Sequence, residues 1–256
     1  GYSALDHQLG GWRQGLIFIA GWTSSGKSAL LVRSLRAAAK TGKRFRLYSV
    51  DMAPRTWWRR MIQQQMHVGR RRAMRMELSE PEAAKLYALP TDLLSKGCVF
   101  VRRKRTLDDI TADARRFAGT FDMLVLDTWQ SLQWTDNRSG YDRICDGVVK
   151  LKALANELRI PVIATMQAGE PPKRHELAKG EVPPAGINDL EGGRRLSQEA
   201  AVILIVHRSD YGNPSDELRP VSAVVRIVKD QTSGCTGEIP MRWLPDFGAF
   251  EEAYVV

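Results

Sequence analysis

In the stretch GWTSSGKSA, residues 21–29, four residues have the types and spacing that phosphate chemistry needs. They are Gly21, Gly26, Lys27 and Ser28, in the pattern G-x-x-x-x-G-K-[ST]. Glycine accepts backbone angles that other residues avoid, so the loop can curl until successive N–H groups point at phosphate oxygens. A helix starting at the end of the loop adds the positive pole of its peptide dipoles. Lys27 would then reach the β- and γ-phosphates, and the Ser28 hydroxyl would hold Mg²⁺. The expected cradle is Gly21, Ser24, Ser25, Gly26, Lys27, Ser28 and Ala29, with ATP and Mg²⁺ as its ligands.

Three more residues have types that would complete this chemistry. MLVLD ends in Asp127, an acid at the tip of an apolar run, suited to hold Mg²⁺ with Ser28. FRLYSVD ends in Asp51, which could orient and polarise an attacking water. A helix cap or turn before PRTWW explains Asp51 equally well. PVIATMQ ends in Gln167, whose amide could contact the γ-phosphate or the water, or could simply be a polar strand end.

Strands and helices must place these residues. The strands read from the sequence are 16–20, 45–50, 98–101, 122–127, 161–166, 200–207, 221–229 and 238–243. Most are continuously apolar and rich in Val, Ile and Leu, as strands buried on both faces are. Helices are expected at 27–40, 55–67, 80–95, 107–119 and 142–158, with Thr106 as an N-cap. The alternation argues for an α/β domain with a mostly parallel central sheet and helices on both faces. The last strands, with no helices between them, predict a C-terminal antiparallel extension. No composition break divides the chain, so residues 1–256 are expected to form a single domain.

The chain of 256 residues carries a formal net charge of +9, with a pI near 9.7, which favours a polyanionic partner. Basic clusters at 69–75 and 101–105 are consistent with that, or with solvated element ends. Cys98, Cys145 and Cys235 are widely spaced and suggest reduced thiols and a cytoplasmic location, with no zinc site. No apolar run reaches membrane-spanning length and no signal peptide is visible. Residues 168–195, with four prolines and several glycines, follow a strand end on the side where α/β sheets bind ligands. Trp57 and Trp58 read as core or interface. Trp129 could line the nucleotide site or pack, and His67, His175 and His207 read as structural or exposed.

Together and in this order, these pieces resemble the RecA-like motor domain of the DnaB family of replicative helicases. LYSVDM is similar to the family's S-L-E-M segment, and LVLDTWQSL to I-D-Y-L-Q-L, with Gln130 at the matching glutamine. LKALANELRIPVIATMQ, NDLEGGRRLSQEAAVILIVHR (with Gln198 aligned) and VRIVKDQTSGCTGEIPMRWLPDFGAFEE resemble its later motifs. The opening LDHQLGG is also similar to the RadA and KaiC ATPases. The resemblance covers about 2–256. It implies a RecA-like P-loop NTPase that forms a homo-hexamer with its nucleotide site between subunits. Such a ring threads single-stranded DNA, unwinds duplex during replication, and works with primase or loader proteins.

In that resemblance Lys27, Ser28, Asp51, Asp127 and Gln167 match the cis side of the site. Lys229 matches a lysine that reaches a neighbour's γ-phosphate, and residues 168–195 take the place of the DNA-binding loops. Arg194 and Arg195 are the candidates there for phosphate contacts. Two positions depart from the pattern. The family's catalytic Glu is Asp51, and its finger arginine falls at Gln231, which is still expected near nucleotide but carries no charge. Lys229 alone, or Arg226 or Arg208, would have to supply the missing charge; otherwise hydrolysis is slow. The chain is expected to lack the family's N-terminal domain and linker helix. Two other readings stand beside the helicase motor. One is a module that binds ATP and DNA but hydrolyses weakly, as a regulator or loader; the other is a RadA-like recombination ATPase.

Overall fold

The computed structural model describes residues 1–102, 106–134, 139–172, 182–210 and 219–253. Residues 103–105 of the second basic cluster, 173–181 of the proline-rich stretch and His175 lie outside them. Among the described residues one nine-stranded sheet organises the chain, in the order β3-β2-β4-β5-β1-β6-β7-β8-β9. Six strands are parallel neighbours: β1 (Gly15–Gly21), β2 (Phe45–Ser49), β3 (Val99–Val101), β4 (Met123–Asp127), β5 (Pro161–Gln167) and β6 (Val202–Arg208). Then β7 (Val221–Asp230), β8 (Gly237–Leu244) and β9 (Ala249–Glu252) continue antiparallel, as the helix-free C-terminal stretch predicted.

Continuous apolar runs suit strands covered on both faces, because alternate residues feed opposite cores. In β1, Ile17 and Ile19 enter one core, while Leu16, Phe18 and Ala20 enter the other. The first core is closed by α2 (Lys27–Lys40), α3 (Pro54–Met66) and α5 (Glu80–Ser95), with Leu31 and Leu35, Trp57 and Met61, and Leu93 among its residues. The second is closed by α6 (Leu107–Arg116), α7 (Gly140–Leu158) and α8 (Gly193–Glu199), with Ile110, Val148, Leu151 and Leu196. Trp57 is fully buried and Trp58 packs on Phe100 with ring centroids 4.1 Å apart, so both tryptophans belong to the core.

Helix starts follow local chemistry. Pro54 opens α3, where a missing N–H costs nothing. The Thr106 side chain accepts the Asp109 N–H at 3.1 Å, the predicted N-cap of α6. The sequence did not reveal α1 (Ser3–Leu9), α4 (Arg70–Arg75), α8 or β9. Each has seven residues or fewer, too few for a hydrophobic period to register. No described helix is long and apolar enough to cross a membrane.

Candidate nucleotide site

All the cis residues singled out in the sequence sit at the carboxyl edge of the parallel strands, where open α/β sheets bind ligands. Gly21 ends β1, Asp127 ends β4, Gln167 ends β5 and Asp51 follows β2. They meet around one cavity of about 550 Å³. Ser24, Gly26, Lys27, Ser28, Ala29, Asp51, Asp127 and Gln167 line it. Gly21 and Ser25 are buried beneath the loop instead.

The loop needs its glycines for reasons the structure makes specific. At Gly21, φ is +149° and a Cβ would fall 2.4 Å from the Val206 carbonyl oxygen. At Gly26, φ is +102° and a Cβ would collide with the Phe250 ring at 2.6 Å. Both positions exclude side chains sterically as well as conformationally.

Lys27 is buried, and its ammonium donates to the carbonyls of Gly21 at 3.0 Å and Trp22 at 2.7 Å. Burial pulls its pKa down to about 8, opposed by the Asp127 carboxylate. A charge held this way by loop carbonyls is available to a phosphate that enters the cradle.

Ser28 Oγ donates to the Asp127 carboxylate, at 3.2 Å to Oδ1 and 3.1 Å to Oδ2, and Thr165 Oγ1 donates to Oδ1. Burial pushes the Asp127 pKa up, while the Thr165 and Ser28 hydroxyls, Arg60 and Lys27 favour its ionised form. Hydroxyl and carboxylate oxygens are the donor set Mg²⁺ takes when substrate phosphates complete its shell, so Ser28 and Asp127 fit that ion. Among the described residues no group of three or more His, Cys, Asp or Glu could hold a metal. A site that relies on phosphate oxygens does not need one.

Gln167 is held by a clasp. Its backbone N–H donates to Gln130 Oε1 at 2.9 Å, and its carbonyl accepts from Gln130 Nε2 at 3.0 Å. The Gln167 side chain in turn accepts from Thr23 Oγ1 of the loop at 3.3 Å. Asp51 is exposed at the cavity rim. Trp129 does not line the cavity; it is buried against Phe18 and Trp134, so packing accounts for it.

Two features had no clear sequence signal. The Arg208 guanidinium sits 4.6 Å above the Trp243 ring, and both residues line the cavity beside the loop. Arg208 also makes paired bonds to Asp210, at 2.9 and 3.0 Å. Second, the indole N–H of Trp22, inside the loop, donates to the Pro183 carbonyl at 2.8 Å. That bond ties the phosphate loop to the proline-rich segment, 161 residues away. Only the tertiary fold brings either pair together.

Lys229 and Gln231 lie elsewhere. Because β7 runs against β6, Lys229 falls beside Ile203 and the Gln231 N–H bonds the Ala201 carbonyl at 2.8 Å. Both are at the opposite end of the sheet from Gly21, and neither lines the cavity. Lys229 Nζ donates to the Ser197 carbonyl of α8 at 2.6 Å. Arg194 is exposed on α8; Arg195 pairs with Glu199 at 3.0 Å, and Glu199 also accepts Lys152 at 2.8 Å. Arg195 is therefore already engaged, although its Nε is buried without a partner among the described residues.

Comparison with known proteins agrees with this layout. The family model described as the DnaB-like helicase C terminal domain matches residues 1–252. The chain is 24% identical over 259 residues to the replicative DNA helicase DnaB of Geobacillus stearothermophilus, covering 98% of this chain and 55% of that protein. The chain thus spans about half the length of the curated relatives it matches. A solved structure described as an ATPase domain superposes with a TM-score of 0.82 at 20% identity, covering 99% of this chain and 90% of the other. A DnaB-like replicative helicase, solved in a study of its interactions with primase, also gives 0.82 at 20% identity, over 99% and 61%. At that identity the superpositions establish the fold, a RecA-like ATPase architecture.

Proposed function

Because the chain belongs to the DnaB-like helicase C-terminal domain family, we propose that it is the ATP-hydrolysing motor of a replicative DNA helicase. In this reading ATP binds between subunits of a hexameric ring, and its hydrolysis moves single-stranded DNA through the centre and separates duplex strands. The observation that carries the reading is the convergence of Lys27, Ser28, Asp127 and Gln167 on one cavity under a glycine-built loop. The placement of Lys229 and Gln231 at the far end of the sheet supports a site completed by a neighbour, since neither can reach the cavity of its own chain.

The chemistry follows from the side chains. Loop N–H groups and Lys27 bind the β- and γ-phosphates. Ser28 and Asp127 would hold Mg²⁺, which would supply neutralisation of the phosphate charge when bound. Asp51 orients a water and accepts its proton as the water oxygen bonds to the γ-phosphorus. The bond from phosphorus to the β–γ bridging oxygen breaks, and ADP leaves with the electron pair. Gln167, fixed by Gln130, reports the γ-phosphate to the segment that follows it. Thr23 and Trp22 connect the loop to the same region. Arg208, backed by the Trp243 ring, offers its guanidinium plane at the cavity wall for the nucleobase. The net charge of +9, with Arg194 exposed on α8, suits a DNA backbone. A primase and a loader are the protein partners in this reading, the primase because a solved relative was studied with one.

A second reading, a module that binds ATP and DNA but turns over slowly, is favoured by Asp51 and Gln231. Steady-state ATP hydrolysis, with and without single-stranded DNA and at ring-forming concentrations, separates the two. Strong DNA stimulation together with strand separation on a forked duplex supports the motor. Tight ATP binding with no stimulated turnover supports the module.

A further inference from the structure

A second cavity, of about 450 Å³, adjoins the nucleotide cavity, and no step of ATP binding or hydrolysis uses it. Its first wall is α2, whose Arg33, Arg36, Ala37 and Lys40 line it at spacings of three, four and seven residues. Those spacings form one stripe of an α-helix. The other side of α2 buries Leu31 and Leu35 in the first core and so fixes which stripe faces the cavity. Opposite stand Gln64 near the end of α3 and His67 just past it, with Phe250 and Glu251 of β9 between.

The polar groups of this cavity are incompletely matched. Three permanent cations, Arg33, Arg36 and Lys40, face one carboxylate, Glu251. Arg33 is held in place: its Nε donates to the Gly1 carbonyl at 2.8 Å and its Nη1 to the Phe250 carbonyl at 3.2 Å. Gly1 meets the cavity with that carbonyl, while its amine turns to Asp6, which does not line it. Arg36 is half-buried and has no hydrogen-bond or ion-pair partner among the described residues. Burial and the nearby Arg33 both weigh against its charge, so an entering anion would relieve it. Gln64 is only 8% exposed, and its amide is oriented by its donors: Nε2 gives to the carbonyls of Ala29 at 3.1 Å and Gly248 at 2.8 Å. That leaves Gln64 Oε1 buried with no donor. A buried acceptor in that state is costly, and a ligand hydroxyl would satisfy it.

We propose that this cavity binds a small phosphate monoester bearing hydroxyl groups, a ribose phosphate either free or as part of a nucleotide. Its phosphate lies against Arg36, Arg33 and Lys40; one hydroxyl donates to Gln64 Oε1 and another to Glu251. The volume is within the range of small-molecule sites. Two residues carry its occupancy to the nucleotide cavity. Gln64 grips Ala29 and Gly248, both of which line that cavity. Phe250 lines the second cavity and its ring closes on Gly26 of the phosphate loop. An effect on turnover therefore follows, and that part alone rests on the ATPase reading above.

The test uses the chain saturated with Mg²⁺ and a non-hydrolysable ATP analogue, so that the nucleotide cavity is filled. Ribose 5-phosphate, AMP and inorganic phosphate are then titrated by calorimetry. The two ribose esters should bind at a single site, and more tightly than inorganic phosphate. Tighter binding of AMP would identify a nucleotide as the ligand, and equal binding a free sugar phosphate; both agree with the proposal. Arg36→Ala should weaken binding by about tenfold or more, and Arg36→Lys should recover part of the loss. Lys85→Ala, an exposed lysine of α5 that lines neither cavity, should match the parent. Circular dichroism checks that the variants are folded. In steady-state assays, saturating ribose 5-phosphate should change kcat or KM for ATP in the parent by twofold or more, and the change should vanish in Arg36→Ala. Absence of binding by either ester would overturn the proposal, as would binding that folded Arg36→Ala leaves unchanged. Binding of inorganic phosphate as tight as that of the esters would overturn the roles given to Gln64 and Glu251. A chain that fails to bind the ATP analogue would overturn the ATPase reading instead, and the Arg36→Ala comparison would still judge the second cavity.

Discussion

The two ends of the central sheet are finished to different degrees. At the carboxyl edge of the parallel strands, one chain supplies a cradle, a metal-suited hydroxyl–carboxylate pair, an exposed acid and a clasped glutamine around one cavity. At the opposite end, Lys229 and Arg195 are occupied by their own chain, through the Ser197 carbonyl and Glu199. The first end is organised to receive a ligand as it stands. The second holds its cations against α8, the helix that follows the proline-rich segment. In the proposed ring, a residue there would act on a neighbour's phosphate only by leaving those partners. The lesson is that position along the strand, more than residue type, decides which side chains share the cavity of their own chain.

The largest predicted effect tests that division directly. Lys27→Ala should weaken ATP binding and cut turnover by about 10²–10³ at any protein concentration, since it removes a buried charge from the cradle. Lys229→Ala should leave ATP binding by dilute subunits intact and reduce turnover only where rings form. Nucleotide titrations below and above the assembly concentration provide the check. Weakened ATP binding by dilute Lys229→Ala would break the comparison.

A smaller effect is expected from the clasp. Gln130→Ala removes two hydrogen bonds to the Gln167 backbone, each worth about 0.5–1.5 kcal/mol. If the clasp positions Gln167 for the reaction, kcat should fall several-fold while KM for ATP changes little. A purely structural role would lower the melting temperature and leave kcat alone.

The smallest effect concerns protons. Buried Lys27 has its pKa lowered to about 8 from an ordinary 10.5. Between those values the unfolded chain binds more protons than the folded one, so this group's contribution to stability rises with pH across the window. Bound phosphate charge would push the lysine back toward its ordinary value. Metal-free ATP binding near pH 8.5 should therefore take up a fraction of a proton, and binding near pH 6.5 should take up none through Lys27. Calorimetry in two buffers of different ionisation enthalpy reads this difference, and Lys27→Ala should abolish it.

Most of the cis site was legible in the sequence because its parts are local. The loop needs its glycines and a helix start. Asp127 and Gln167 end strands whose apolar runs are recognisable one at a time. The resemblance of the later segments gave Lys229 and Gln231 their expected role. The neighbours of each group were not legible. Nothing in the sequence singled out Arg59 and Arg60, which the fold places at the cavity, and the short α8 carried no period that could reveal it.

The sequence by itself determined the cradle, the order of most strands and of the longer helices, and the antiparallel character of the tail. Each depends on backbone propensities and burial patterns that repeat within a few residues. The tertiary structure alone decided which cations share a cavity with Asp127, and that Lys229 and Gln231 stand at the far end of the sheet. It also decided that Trp22 meets Pro183 and that Gln130 grips Gln167. Those pairings join residues from different strands and helices. They follow from strand order and helix rotation, which are set by burying two cores at once rather than by any local stretch of chain.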